Sequence, residues 1–113
     1  MGQIDKVLGM SYYGNDEALY REILECYCEQ AQEYMKSLVQ YVEAKDWKHY
    51  MVVIHAIKSN SLGIGAKKFS ELAFQHEKES KMENRYFIEE NFDAFMENYK
   101  ELLEEVTQIL HNV

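Results

Sequence analysis

The chain of 113 residues contains no proline, a single threonine and only five glycines. Proline averages about 5% of residues in proteins, and its absence means that no residue of this type interrupts a helix. Strongly helix-forming residues (Ala, Leu, Glu, Lys, Met, Gln and Arg) make up about half of the chain. Together these features predict an all-α protein and argue against a β-sheet.

Long apolar runs and an excess of basic residues are missing as well. The longest unbroken apolar run covers residues 50–54, too short for a membrane span, and no segment resembles a signal peptide. The net charge of −8 argues against nucleic-acid binding through phosphate contacts.

Cysteine is scarce: Cys26 and Cys28 are the two in the chain. On a helix they point about 200° apart, so they neither bridge each other nor share a metal ion. We expect one to face inward and the other to lie near the surface. The sequence therefore predicts a cytoplasmic protein without a metal site.

Apolar residues recur at the three- and four-residue spacing typical of amphipathic helices. We expect one domain over residues 1–113, with a short helix at about 3–9 that Gly9 ends and a bundle over about 15–112. Four helices are predicted in the bundle: from a cap at Asn15 or Asp16 to Ala44-Lys45, from Trp47 to about Ser61 behind Asp46, from Ala66 to about Met82, and from a cap at Asn84 onward. Because short loops place neighbouring helices antiparallel, this predicts an antiparallel up-down-up-down four-helix bundle.

The predicted core-facing residues form one stripe along each helix. In the first long helix they are Leu19, Ile23, Tyr27, Ala31, Tyr34, Leu38 and Val42. In the helix after Ala66 they are Phe69, Leu72, Ala73 and His76. In the last helix they are Phe92, Phe95, Tyr99, Leu102, Val106 and Ile109.

His55 breaks the pattern of the helix that starts at Trp47. At about 100° per residue, His55 lies nearly opposite the core face of that helix, which is formed by Tyr50, Val53, Ile54, Ile57 and Ser61. Its neighbours on the outer face are Lys48, Met51, Val52, Lys58, Ser59 and Leu62. A polar residue surrounded by exposed apolar side chains indicates a docking surface.

Charge is distributed unevenly around the same helix. Residues 47–70 contain four lysines and no acidic residue, so this segment carries +4 and the rest of the chain −12. Gly63 and Gly65 are predicted to turn the chain and to bring Lys67 and Lys68 to the same end. A locally positive, partly apolar patch fits a partner whose own site is acidic.

The segment His55-Ala-Ile-Lys58-Ser-Asn-Ser-Leu-Gly-Ile-Gly65-Ala66, followed by Phe69, Leu72, Ala73 and Glu77, resembles the signature of histidine phosphotransfer (HPt) domains. The resemblance covers about residues 4–110. It implies a small four-helix bundle that shuttles a phosphoryl group between response-regulator receiver domains. It also implies that His55 is the phosphoryl acceptor and donor and that Lys58 helps to hold the phosphoryl oxygens.

Two residues depart from the family pattern. Ser59 stands where the family usually has glycine, one turn after the histidine, which makes access for a receiver tighter. His76 stands where leucine is common. We expect His76 to be a core or half-buried histidine with a hydrogen-bond partner and not a second acceptor.

One histidine and one lysine supply only part of the chemistry of phosphoryl transfer. Imidazole offers a neutral nucleophilic nitrogen near neutral pH, and an ammonium stabilises charge on the phosphoryl oxygens. The sequence has no carboxylate cluster near His55 and no glycine-rich nucleotide loop. We therefore expect a monomeric carrier that is not a kinase and has no cofactor of its own, with Mg²⁺ supplied by the partner receiver.

The expected partners are receiver domains, with a hybrid sensor kinase as a further candidate. The predicted docking residues are Lys48, Met51, Val52, Ser59, Leu62, Lys67 and Lys68. A docking module that binds receivers or other helices without being phosphorylated is the main alternative, and it would keep its activity after His55→Gln. A di-iron bundle uses inward-facing Glu-x-x-His pairs, and none of the four histidines has a glutamate three residues before it.

Overall fold

A computed structural model describes residues 2–112, which form five helices and no strand. The helices are α1 (Lys6–Ser11), α2 (Glu17–Ala44), α3 (Trp47–Gly63), α4 (Lys67–Lys81) and α5 (Arg85–His111). Each long helix packs against the next one along the chain, and α5 returns beside α2. The predicted all-α bundle with a short extra N-terminal helix is confirmed. Among the described residues, no helix has both the length and the apolar character needed to cross a bilayer.

Side-chain caps define where three of the long helices begin. Asp16, Asp46 and Asn84 each accept a hydrogen bond from the backbone N–H three residues further on. Asn15 lies outside α2 with a φ of 59°, so Asp16 is the cap. Lys45 ends α2 in the left-handed conformation, and α3 follows after Asp46. The break between α2 and α3 is therefore as short as the sequence predicts.

At the start of α2, the fully buried residues lie one position later in the sequence than predicted. Leu19 is 38% exposed, whereas Tyr20 and Leu24 are fully buried. The Tyr20 hydroxyl donates to the carbonyl of Ile64 at 2.7 Å. Because this bond ties the Tyr20 face of α2 to the turn between α3 and α4, Leu19 points away from the core. Further along α2, the predicted position Tyr27 is buried.

Helix α1 starts later than the predicted range of about 3–9, and Gly9 lies inside it. Asp5 caps the helix, and the two backbone N–H groups before Asp5 donate to the carboxylate of Glu105 at 2.7–2.8 Å. A Cβ at Gly9 would lie 2.5 Å from the carbonyl oxygen of Ile64. Gly9 therefore allows close packing against the turn between α3 and α4, and it does not end the helix.

The turn between α3 and α4 sets where α4 begins. Gly63 is the last residue of α3, and its carbonyl accepts a hydrogen bond from the Tyr13 hydroxyl at 3.0 Å. Gly65 has a φ of +91°, and a Cβ there would overlap the carbonyl oxygen of Asp5. Asp5 also donates its N–H to the Gly65 carbonyl at 2.9 Å. The N-terminal segment and the turn are therefore packed together with no room for a side chain at Gly65.

The cysteines lie as the helical spacing predicts. Cys26 is exposed on α2, and Cys28 is half-buried against the core. Neither forms a disulfide. Burial raises the pKa of the Cys28 thiol, which favours its neutral form.

Candidate functional site

His55 lies on the outer face of α3, in the middle of the helix. Its side chain is 58% exposed. On the opposite face, Tyr50, Ile54, Ile57 and Ser61 are fully buried. The apolar periodicity of α3 therefore holds one face in the core and presents the imidazole to solvent.

A carboxylate from α4 contacts this imidazole. His55 Nδ1 lies 2.7 Å from Glu77 Oε2, and Lys58 Nζ lies 2.8 Å from Glu77 Oε1. An ionised carboxylate only accepts hydrogen bonds, so Nδ1 of His55 carries a proton and donates it to Glu77. In the neutral imidazole this leaves Nε2 with a free lone pair.

Glu77 is mostly covered, with 18% of its side chain exposed. Its Oε1 is shielded from solvent and accepts no well-directed hydrogen bond, so the ammonium of Lys58 balances its charge through ionic contact. Burial alone would raise the pKa of Glu77, but its contacts with Lys58 and His55 outweigh burial and lower that pKa. The carboxylate is therefore charged at neutral pH.

Lys58 is fixed on two sides by α4. The Ser70 hydroxyl donates to the backbone carbonyl of Lys58 at 2.9 Å, which holds the two helices together at this level. The ammonium of Lys58 also lies 5.1 Å from the ring centroid of Phe74. Lys58 is 25% exposed at its side chain, so its head group lies at the edge of the site and not in open solvent.

The predicted docking residues fall into two groups. Val52 and Leu62 are 59% and 41% exposed, Met51 is half-buried, and Ser59 is exposed one turn after His55. Met51, Val52 and Ser59 lie about one turn from His55 on α3, and Leu62 lies seven residues after it, about 10 Å along the helix axis. Among the described residues, His55 bonds to Glu77 and forms no hydrogen bond with Ser59.

The predicted lysines lie further from the imidazole. Lys48 lies seven residues before His55 on α3, about 10 Å along the helix axis. Lys67 and Lys68 are exposed at the start of α4, and Lys68 lies about 14 Å along that helix from Glu77. The lysines therefore do not form a purely positive patch around His55, because Glu77 of α4, which lies outside the segment 47–70, contacts the imidazole.

His76 lies in the core beneath the site. Its side chain is 1% exposed, and its Nδ1 lies 2.9 Å from the Tyr50 hydroxyl. The rings of Phe87 and Phe95 pack against it with centroids 5.1 and 4.6 Å away. Burial lowers the pKa of His76 to about 4, so the ring is neutral at physiological pH. The geometry therefore keeps this imidazole from reacting with another protein.

Glu77 and Phe74 are the contacts that the sequence did not assign. Glu77 occurs in the quoted motif, but 22 residues separate it from His55. Antiparallel packing of α3 and α4 brings the two together, and the helical periodicity within α3 carries no signal of it. The quoted motif, which ends on Glu77, was the available sign in the sequence.

The arrangement has a defined chemical capacity. An exposed basic nitrogen is backed by an anion that stabilises positive charge on the ring, and a cation lies close by. Such a site suits nucleophilic attack on an electrophile that carries negative charge. Within residues 2–112, no group of three or more His, Cys, Asp or Glu side chains is placed to hold a metal ion.

Comparison with known proteins gives one finding. A family model described as Hpt domain matches residues 22–112. This range includes α3, α4 and the contacts of His55. No curated protein and no solved structure gives a significant match.

Proposed function

Because the chain belongs to the Hpt domain family, whose members are histidine-containing phosphorelay carriers that interact with receiver domains, we propose that it carries a phosphoryl group on Nε2 of His55. The observation that carries this proposal is the bond from Nδ1 to Glu77. That bond leaves Nε2 as the unprotonated nitrogen of an exposed ring.

The step proceeds by attack of His55 Nε2 on the phosphorus of an aspartyl phosphate in a receiver domain. The bond between phosphorus and the aspartate oxygen breaks, and its electron pair leaves with the carboxylate. The new bond between phosphorus and nitrogen makes the imidazole a cation. Because Nδ1–H still donates to Glu77, this carboxylate balances the charge of the ring, while Lys58 balances charge on the phosphoryl oxygens. The reverse step delivers the group to a second receiver aspartate.

The remaining catalytic groups belong to the partner in this proposal. The receiver supplies the Mg²⁺ and the acceptor or donor aspartate, so the chain needs neither a cofactor nor a nucleotide site. Docking uses Met51, Val52, Ser59 and Leu62 on the outer face of α3, with Lys48, Lys67 and Lys68 as steering charges. The chain acts in the cytoplasm as a monomer.

Incubation of the full chain with a phosphorylated receiver and Mg²⁺ tests the proposal. We expect acid-labile, alkali-stable label on the wild-type chain and none on His55→Gln. His49→Gln is the matched control, because His49 is also exposed on α3 and also bonds to a carboxylate through Nδ1. It should take up label as the wild type does.

Two outcomes would overturn the assignment. Label on His55→Gln would place the acceptor elsewhere. A wild-type chain that binds the receiver and takes up no label would instead identify a docking module. In that case His55→Gln would bind the receiver as tightly as the wild type.

A further inference from the structure

Phe74 is a large apolar residue that stays 46% exposed on α4. It belongs neither to the buried core nor to the partly buried residues packed against that core. Its ring centroid lies 5.1 Å from Lys58 Nζ and 4.9 Å from Lys78 Nζ. Both distances are within the range, about 6 Å, over which an aromatic ring attracts a cation. Packing of the core therefore does not account for this residue, whereas its ring contacts two ammonium groups.

The register of α3 against α4 places the ring where it meets Lys58. Ser70 bonds to the backbone carbonyl of Lys58, and Phe74 follows Ser70 by one turn. Glu77 lies three residues after Phe74, so the ring and the carboxylate share one face of α4. The ammonium of Lys58 contacts both, at 5.1 Å from the ring centroid and 2.8 Å from Oε1.

We propose that Phe74 is a positioning residue for Lys58 in phosphoryl transfer. The inference rests on the proposed function and adds a residue to it. The stem of lysine is flexible and its ammonium is a point charge, so a single ionic contact leaves the head group free to move. The ring adds a second attraction that needs no directed bond. Lys58 therefore exchanges Oε1 of Glu77 for a phosphoryl oxygen while its contact with the ring is kept.

Two substitutions distinguish the effect of the aromatic face of Phe74 from the effect of its apolar volume. Phe74→Leu keeps an apolar side chain and removes the π-face, whereas Phe74→Trp keeps the π-face. The assay is single-turnover transfer to the full chain from a phosphorylated receiver, over a range of receiver concentrations. We expect Phe74→Leu to lower the maximal rate about two- to fivefold at an unchanged half-saturating concentration, and Phe74→Trp to keep the wild-type rate.

Three results would overturn the role of Phe74 in this assay. The first is a wild-type rate in Phe74→Leu. The second is an equal loss in the leucine and tryptophan variants, since shape and not the π-face would then matter. The third is a change confined to the half-saturating concentration, which would make Phe74 a docking contact.

Lys78→Gln is the matched control, because Lys78 contacts the same ring. We expect it to transfer at the wild-type rate, and a loss as large as that of Phe74→Leu would assign the effect to surface charge.

NMR relaxation of the Lys58 side chain in the unphosphorylated protein supplies a readout independent of transfer. Its order should fall in Phe74→Leu and persist in Phe74→Trp, and equal order in all three proteins would reject the proposal. If the wild type takes up no label, the proposed function fails and the role of Phe74 in transfer fails with it, whereas label on the wild type with equal order of Lys58 in all three proteins rejects the role of Phe74 alone.

Discussion

His76 makes the stability of the fold depend on pH. Its side chain is 1% exposed, and it contacts the Tyr50 hydroxyl and the rings of Phe87 and Phe95. Burial lowers its pKa from 6.5 to about 4. Between these values the unfolded chain binds a proton that the folded protein does not bind. The free energy of unfolding therefore falls as the pH falls through this window.

The size of the effect follows from the two pKa values. A difference of about 2.5 pH units, at 1.36 kcal/mol per unit, corresponds to about 3 kcal/mol once the pH is below 4. At pH 5 the imidazole is mostly protonated in the unfolded chain and mostly neutral in the folded protein. About 2 kcal/mol is therefore lost between pH 7 and pH 5. This is a substantial part of the 5–15 kcal/mol typical of a native protein.

Urea unfolding followed by circular dichroism at pH 7 and pH 5 measures this loss. The comparison is between the wild type and the double variant Tyr50→Phe/His76→Leu, which removes both hydrogen-bonding partners and leaves no unpaired polar atom. The carboxylates and the other three histidines are present in both proteins. The wild type should therefore lose about 2 kcal/mol more than the variant. An equal loss in the two proteins would show that His76 is not the source of the pH dependence.

Two further predictions concern the turn between α3 and α4 and the carboxylate of the site. Gly65→Ala should lower the free energy of unfolding by about 2 to 3 kcal/mol, because it strains the backbone and disrupts the packing of Asp5. Gly14 is the control, since it also has a positive φ but nothing lies within 4 Å of its Cβ, and Gly14→Ala should cost about half as much. Equal losses of the two variants in urea unfolding would refute the packing argument. Glu77→Gln should slow phosphoryl uptake by His55 about tenfold, because a charge-assisted hydrogen bond is replaced by a neutral one, and a wild-type rate in single-turnover labelling would contradict this role.

The bundle could be predicted because its signals are local. Each cap bonds to a backbone N–H three residues away, and each apolar stripe repeats every three or four residues. Asp46 therefore defines the start of α3 in the sequence as well as in the structure. The same periodicity indicates which residues of α3 face away from the core, and His55 is among them. The confirmed fold class depends on these short-range patterns.

Contacts between residues that lie far apart in the sequence could not be predicted from these short-range patterns. The register of α1 depends on Gly9 and Asp5 packing against the turn after α3, which lies more than 50 residues away. The burial of Tyr20 in place of the predicted Leu19 depends on the bond from the Tyr20 hydroxyl to Ile64. Neither bond follows from a periodic pattern, so the N-terminal region was predicted less accurately than the helices behind Asp46.

The geometry around His55 depends on α4 as much as on α3, the helix that carries it. Contacts between α3 and α4 join Tyr50 to His76 in the core and His55 to Glu77 at the surface, only one residue apart on α4. Both bonds therefore depend on the same placement of α4 against α3. We expect a core substitution that shifts α4 at His76 to move the neighbouring carboxylate that accepts from Nδ1 of His55 as well.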